Sequence, residues 1–194
     1  MSESAGPALR TLAVTQNITL DGVVDLSEGW FAPGGDDAEL AEVLARQAAA
    51  SDALLVGRVT FEQMRGFWPH QVDDTTGVAA HLDQVAKYVV SSTMDEPGWQ
   101  RTAVLSGSPR AEVEALKAAP GADIVATGSI TLVHELIAAD LVDEYRLFAY
   151  PVVVGHGRRL FGDARPVRLE LRESRTFRSG VVLTVYGRHP RSGT

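Results

Sequence analysis

Two stretches of the chain are built alike, and together they constrain the fold more than any other feature. "LLVGRVTFEQM", residues 54–64, and "IVATGSITLVHEL", residues 124–136, each run from an apolar segment through one glycine into a helix-forming segment. Short apolar runs of this kind suit strands buried on both faces, which belong to parallel sheets. Both glycine junctions, at Gly57 and Gly128, then fall at the carboxyl end of a strand, where open α/β sheets bind ligands. The free N–H groups and dipole of a helix start attract anions, and glycine lets the backbone approach closely. Two such ends side by side could hold the diphosphate of a dinucleotide, with Arg58 supplying positive charge. A single glycine at such a turn is commonplace, so the pair says more than either member.

The remaining elements follow the same alternation. Residues 1–8 read as a disordered tail and 9–190 as one domain, a length that buries a sizeable core. "LRTLAVTQNITL" gives a first strand, and the turn-rich loop "DGVVDLSEGWFAPGG" is long enough to be functional. A helix over about 37–50 places Leu40, Val43, Leu44 and Ala48 on one face, with Asp36 or Asp37 as its cap. "DALLVG" reads as a strand, "RVTFEQM" and "TTGVAAHLDQVA" as helices, and "KYVVSS" and "TAVLS" as strands. "SPRAEVEALKA" is a helix with Ser108 as cap and Pro109 in first position. "ADIVATG" is a strand, and "SITLVHELIAAD" a helix with Leu132, Val133, Leu136 and Ile137 inward. "LVDEYRLFAYPVVV" reads as a long strand ending near Pro151, and "VRLELRESRTFRSGVVLTVYGR" as a hairpin about "RSG". The order implies an α/β fold: a mostly parallel sheet, helices on both faces, and an antiparallel C-terminal edge.

Composition removes several functions. A formal charge of -7 argues against nucleic acid as a partner; within the basic segment 158–178, which holds seven arginines, the "RLELRES" stretch reads as a solvated strand face. With no cysteine there is no disulfide, thiolate nucleophile or cysteine metal site. The five histidines show no metal-binding spacing, so no metal site is expected. No apolar run is long enough for a bilayer, and "MSESAGPAL" is unlike a signal peptide, so a cytoplasmic location is expected, without membrane partners. The glycines at 155, 157 and 162 do not have Rossmann spacing, and neither a P-loop nor a G-x-S-x-G elbow occurs.

The segments "TLDG", "LLVGRVTFEQM", "KYVVSS", "DIVATGSITLVHELIAADLVDEYRLFAYPVVVGHGRRLF" and the closing strand pair, in this order, resemble the dihydrofolate reductase-like fold. The resemblance is closest to the C-terminal reductase domain of bacterial riboflavin biosynthesis (RibD), and it spans nearly everything from Thr11 to Arg188. It implies a three-layer α/β/α domain that binds NADPH across the carboxyl edge of its sheet. Hydride would pass to a small pyrimidine-like or pterin-like substrate.

By the same resemblance, Gly57, Arg58 and Thr60 match the segment that meets the cofactor phosphates. Ser91 and Ser92 match serines near the adenosine ribose and its 2'-phosphate, and Thr127, Gly128, Ser129 and Ile130 match the diphosphate turn. Many relatives carry two consecutive glycines where this chain has Gly128-Ser129, and Ser129 could cap the helix while exposing its N–H. Residues 20–35 match a lid, with Trp30 and Phe31 walling a substrate pocket and Phe67 and Trp68 opposite. Aromatic residues also simply fill cores. The proton-donating carboxylate falls on Asp36 or Asp37 by position, with Asp21 a lesser candidate, although a helix cap explains the same aspartates. Relatives pair as homodimers, to which "FAYPVVV" could contribute, unless it is a buried central strand. The segments H-x-E and C-x-x-C of a zinc deaminase are absent, so the chain reads as a stand-alone reductase domain. Dihydrofolate reduction itself, a flavin or deazaflavin in place of NADPH, and a non-enzymatic dimeric ligand-binding protein are the alternatives.

Overall fold

The computed structural model describes residues 9–26, 29–31, 37–74, 76–162 and 166–189. The expected tail at 1–8 lies outside them. In chain order the elements are β1 (Leu12–Thr19), α1 (Ala38–Ala49), β2 (Ser51–Gly57), α2 (Arg58–Phe67), α3 (Val78–Gln84), β3 (Ala86–Val90), β4 (Thr102–Leu105), α4 (Pro109–Ala118), β5 (Asp123–Ala126), α5 (Ile130–Ala138), β6 (Glu144–Tyr150), β7 (Leu169–Thr176) and β8 (Val182–Arg188). One sheet runs β4-β3-β2-β5-β1-β6-β8-β7. Its first six strands are parallel, and β8 and β7 close it as an antiparallel edge.

The alternation of side chains along each strand assigns the helices to faces. Leu12, Val14, Leu55, Ile124 and Ala126 pack with Val113 of α4 and Leu132, Val133 and Leu136 of α5. On the other face Leu54, Val56 and Val89 meet Phe61 of α2 and Leu82 of α3, while Phe148 and Leu183 meet Val43 of α1. The three-layer expectation is therefore what the chain forms. Right-handed crossovers produce this division, since β1 to β2 to β3 moves one way across the sheet and β4 to β5 to β6 moves back.

Several local expectations change. Leu44 of α1 is 44% exposed, because only part of the helix faces the sheet. Ser108 precedes α4 without a capping side-chain bond; instead the Glu112 carboxylate accepts from the Gly107 N–H at 3.2 Å. The strand expected to end near Pro151 is β6, which stops at Tyr150 because Pro151 has no N–H to continue the ladder, and it begins only at Glu144. Leu147 and Phe148 lie in the interior between β1 and β8, whereas Val153 beyond the strand is exposed. The arginine-rich β7 is exposed along most of its length, as a solvated edge should be.

Candidate functional site

β2 and β5 are neighbours, and the helices that follow them leave for opposite faces. That is a topological switch point, where a crevice opens at the carboxyl ends of the strands. The two turns are bonded to each other. The Gly57 N–H donates to Ser129 Oγ at 2.8 Å, and the Ser129 N–H donates to Thr60 Oγ1 at 3.0 Å. Gly128 has φ of +57°, and a Cβ there would stand 2.9 Å from Thr60 Cγ2. Glycine is thus required both by conformation and by contact.

This lock corrects one expectation. Ser129 takes a left-handed conformation at the start of α5 and makes no capping bond to its own helix. Its hydroxyl accepts from Gly57 and its N–H donates to Thr60, so the N–H is taken while the O–H can still donate into the clefts. The donors that remain are the next first-turn amides of α2 and α5, which a helix cannot satisfy internally.

Two adjoining clefts open over the lock. One, about 450 Å³, lies toward β1 and is lined by Gln16, Asn17, Asp25, Thr127 and Gly128 among others. The second, about 360 Å³, lies toward β3 and includes Gly57, Arg58 and Val90. Thr60, Gln63, Ser129, Ile130 and Arg158 line both. The β1-side cleft exists because β5 is short. Its last partner on β1 is Val14, so Gln16 and Asn17 extend past it with no β5 neighbour. Gln16 Nε2 donates to the Gly128 carbonyl at 2.8 Å, tying the floor to the turn.

The turn after β1 and the turn after β6 form the outer wall. Asp21 accepts from Thr19 Oγ1 at 2.6 Å and from the N–H groups of Val154 and Gly155 at 3.3 and 2.9 Å. The Thr19 hydroxyl foremost, with the Gly155 N–H, pulls its carboxyl down to about 2. A carboxyl held this firmly ionised is a frame rather than a proton donor at neutral pH. Asp37 caps α1: Oδ1 accepts from the Leu40 N–H at 3.2 Å, and Oδ2 accepts from the Ser179 N–H at 2.8 Å. The Ser179 bond chiefly holds its carboxyl below the ordinary range, and Asp37 is not among the residues lining either cleft. Asp36, the other expected donor, lies outside the described residues.

The aromatic expectations separate. Trp30 and Phe31 stack edge-on against Tyr150, with centroids 5.5 and 5.6 Å away, and Trp30 Nε1 donates to the Asp25 carbonyl at 2.8 Å. Burial raises the Tyr150 phenol. Phe67 and Trp68 pack edge-on against each other at the far end of α2, where Trp68 joins the Phe61 core and Phe67 is 52% exposed. None of the four lines either cleft. Ser91 follows Val90 at the cleft's edge, but its hydroxyl accepts from the N–H groups of Thr93 and Met94 at 3.2 and 3.1 Å; Ser92 is exposed. Among the described residues no cluster of histidine and carboxylate could hold a metal, and no helix is long and apolar enough to cross a membrane.

The family model for the RibD C-terminal domain matches residues 10–183. The chain belongs to the RibD C-terminal domain family. The uncharacterized protein YyaP of Bacillus subtilis (strain 168) is 36% identical over 138 residues, covering 70% of this chain and 73% of YyaP. Among solved structures, a candidate riboflavin biosynthesis protein from Shewanella sp. PV-4 superimposes with a TM-score of 0.69 at 21% identity, covering 92% of this chain and 99% of that one. A Thermotoga maritima diaminohydroxyphosphoribosylaminopyrimidine deaminase/5-amino-6-(5-phosphoribosylamino)uracil reductase gives 0.65 at 14% identity, with 93% of this chain and 57% of that one covered. Membership fixes the dihydrofolate reductase-like fold and makes the chain similar to reductases.

Within this RibD-type frame, Gly57, Arg58, Thr60, Thr127, Gly128, Ser129 and Ile130 do come together around one lock. Sequence reasoning missed Gln16, Asn17, Asp25, Gln63 and Arg158. The polar "TQN" near the end of an otherwise apolar first strand was a usable signal for the first two. Asp25 is the one carboxylate lining the β1-side cleft among the described residues, and it pairs with Arg158 at 3.5 Å.

Proposed function

We propose that the chain is an NADPH-dependent reductase acting on a small pyrimidine-like or pterin-like substrate. The observation that carries this reading is the pair of helix starts on adjacent strands, locked through Gly57, Thr60 and Ser129, with Arg58 and Arg158 beside them. First-turn amides and guanidinium groups suit phosphate oxygens. When bound, NADPH supplies the hydride. Arg58 holds phosphate at the β3-side cleft, where its partner Glu62 sits one turn along the exposed face of α2. The carboxamide of Asn17, on the floor of the other cleft, offers both a donor and an acceptor to a heterocycle edge. Asp25 is the carboxylate placed to deliver the accompanying proton.

Titration of the purified protein with NADPH and NADH, followed by tryptophan fluorescence, tests the reading. Saturable binding with preference for NADPH is expected. A pyrimidine and pterin panel, followed by loss of NADPH absorbance, then finds the substrate; Asp25→Asn lowers turnover about a hundredfold or more while leaving nucleotide binding in place. Absence of binding for both nucleotides would overturn the proposal.

A further inference from the structure

The turn that carries Arg158 is fixed by bonds that leave its side chain out. The Arg158 carbonyl accepts from the Val24 N–H at 2.9 Å, and the Leu160 N–H donates to the Gly22 carbonyl at 3.1 Å. Arg159 Nε donates to the Asp21 carbonyl at 3.0 Å, and the Arg159 carbonyl lies 2.9 Å from His134 Nε2 of α5. Gly157, just before, has φ of +102°, and a Cβ there would stand 2.9 Å from Val23 Cγ1, so the turn presses against the β1 loop as only glycine allows. Leu160, just after, is fully buried. Between these anchors the Arg158 side chain is 62% exposed, and among the described residues its ion pair is the long one to Asp25. An exposed pair of that length is weak and easily exchanged for a better anion.

Arg158 lines both clefts, whereas Arg58 lines only the one toward β3. In a dinucleotide laid across both, the group where the two halves join is the diphosphate. We propose that Arg158 grips this bridging diphosphate, while Arg58 serves the 2'-phosphate at the β3 side. The inference rests on the dinucleotide reading above. It assigns the second guanidinium to a turn between β6 and β7, far in sequence from both helix starts. A planar fork can meet two phosphate oxygens at once, which an ammonium cannot.

Calorimetric titration of wild type, Arg158→Ala, Arg158→Lys and Arg58→Ala with NADPH, NADH and adenosine 2'-monophosphate separates the two roles. Arg158→Ala weakens NADPH and NADH by a similar factor, about ten- to a hundredfold, and leaves adenosine 2'-monophosphate unchanged. Arg158→Lys falls between wild type and alanine. Arg58→Ala has the opposite signature, costing NADPH and adenosine 2'-monophosphate more than NADH. Thermal melting confirms that the exposed substitutions leave the fold intact. If wild type binds NADPH and Arg158→Ala binds it equally, or loses NADPH alone, the diphosphate assignment is overturned and the reductase reading stands. If wild type binds neither dinucleotide, both fall together.

Discussion

At the amino edge of the sheet, Arg146 Nε meets Glu144 at 2.7 Å and its Nη2 meets Asp123 at 2.6 Å. Arg10 pairs with Asp52 and donates to the Ala122 carbonyl at 2.7 Å. Lys117 pairs with Asp143, which also accepts from the Leu12 N–H at 2.8 Å. At the carboxyl edge, Arg58 and Arg158 have 47% and 62% of their side chains exposed, and among the described residues each makes a single ion pair of 3.2 Å or longer. The first set of cations is buried against carboxylates that hold strand starts in place. The second is presented to an opening. A buried charge must be paired to be tolerated, so pairing at the amino edge is structural; exposed guanidinium groups beside unsatisfied helix amides are what a binding edge looks like.

The largest effect that would break this comparison belongs to Arg146. Replacing it by methionine keeps most of the volume but strips Asp123 of its guanidinium and leaves Glu144 to Arg172 alone, 3.0 Å away. Loss of one partner from a buried pair costs about 3 kcal/mol, toward the low end because both carboxylates keep some solvent or a second cation. Urea denaturation should show that loss, and NADPH affinity of the folded fraction should be unchanged. An equal drop in affinity would mean that the two edges are not independent.

Gly128→Ala sharpens the comparison from the other side. The left-handed backbone and the close Thr60 methyl together cost about 1–3 kcal/mol, less than Arg146→Met, yet the turns are pushed apart where the ligand would sit. Melting temperature should fall modestly while NADPH binding is lost. Thr60→Ser relieves the methyl contact, keeps the hydroxyl that accepts from the Ser129 N–H, and in the double variant restores part of the binding.

How much of this was legible in the sequence depends on the range of the interaction involved. Strand and helix placement follows from local periodicity, so β2, α2, β5, α5 and the closing hairpin were readable, as was the parallel order with its antiparallel edge. The family motifs marked Gly57, Arg58 and Gly128, because those positions carry their meaning in a few consecutive residues. The bond from Gly57 to Ser129 joins residues 72 apart, and the bond from Asp37 to Ser179 joins residues 142 apart; neither leaves a local signature. By position Asp37 suits a helix cap and, less well, a proton donor, and the bond of its second oxygen to the hairpin turn is invisible in the sequence. Arg158 was hidden for the same reason, since "GRRLF" reads as a basic patch until the β1 loop orients it.

Asp21 gives the smallest expected effect, and it tests the comparison within the carboxyl edge itself. Its carboxylate is saturated like those of the amino edge, by Thr19 and by the turn that leads to Arg158, so it belongs to the frame and not to the binding groups. Its folded-state value of about 2 lies below the ordinary 3.8, so the stability it contributes is present above about pH 4 and is lost as pH falls toward 2. Asp21→Asn keeps the shape and one acceptor but removes the charge. The variant should melt slightly below wild type at neutral pH, and the gap should close between pH 4 and 2, where wild type loses the same charge. Nucleotide affinity at neutral pH should fall only as far as Arg158 is displaced, and Arg158→Ala should abolish that part. A gap that persisted at pH 2 would mean that the carboxylate's charge does not hold the turn, and that the wall of the cleft is set by the glycines alone.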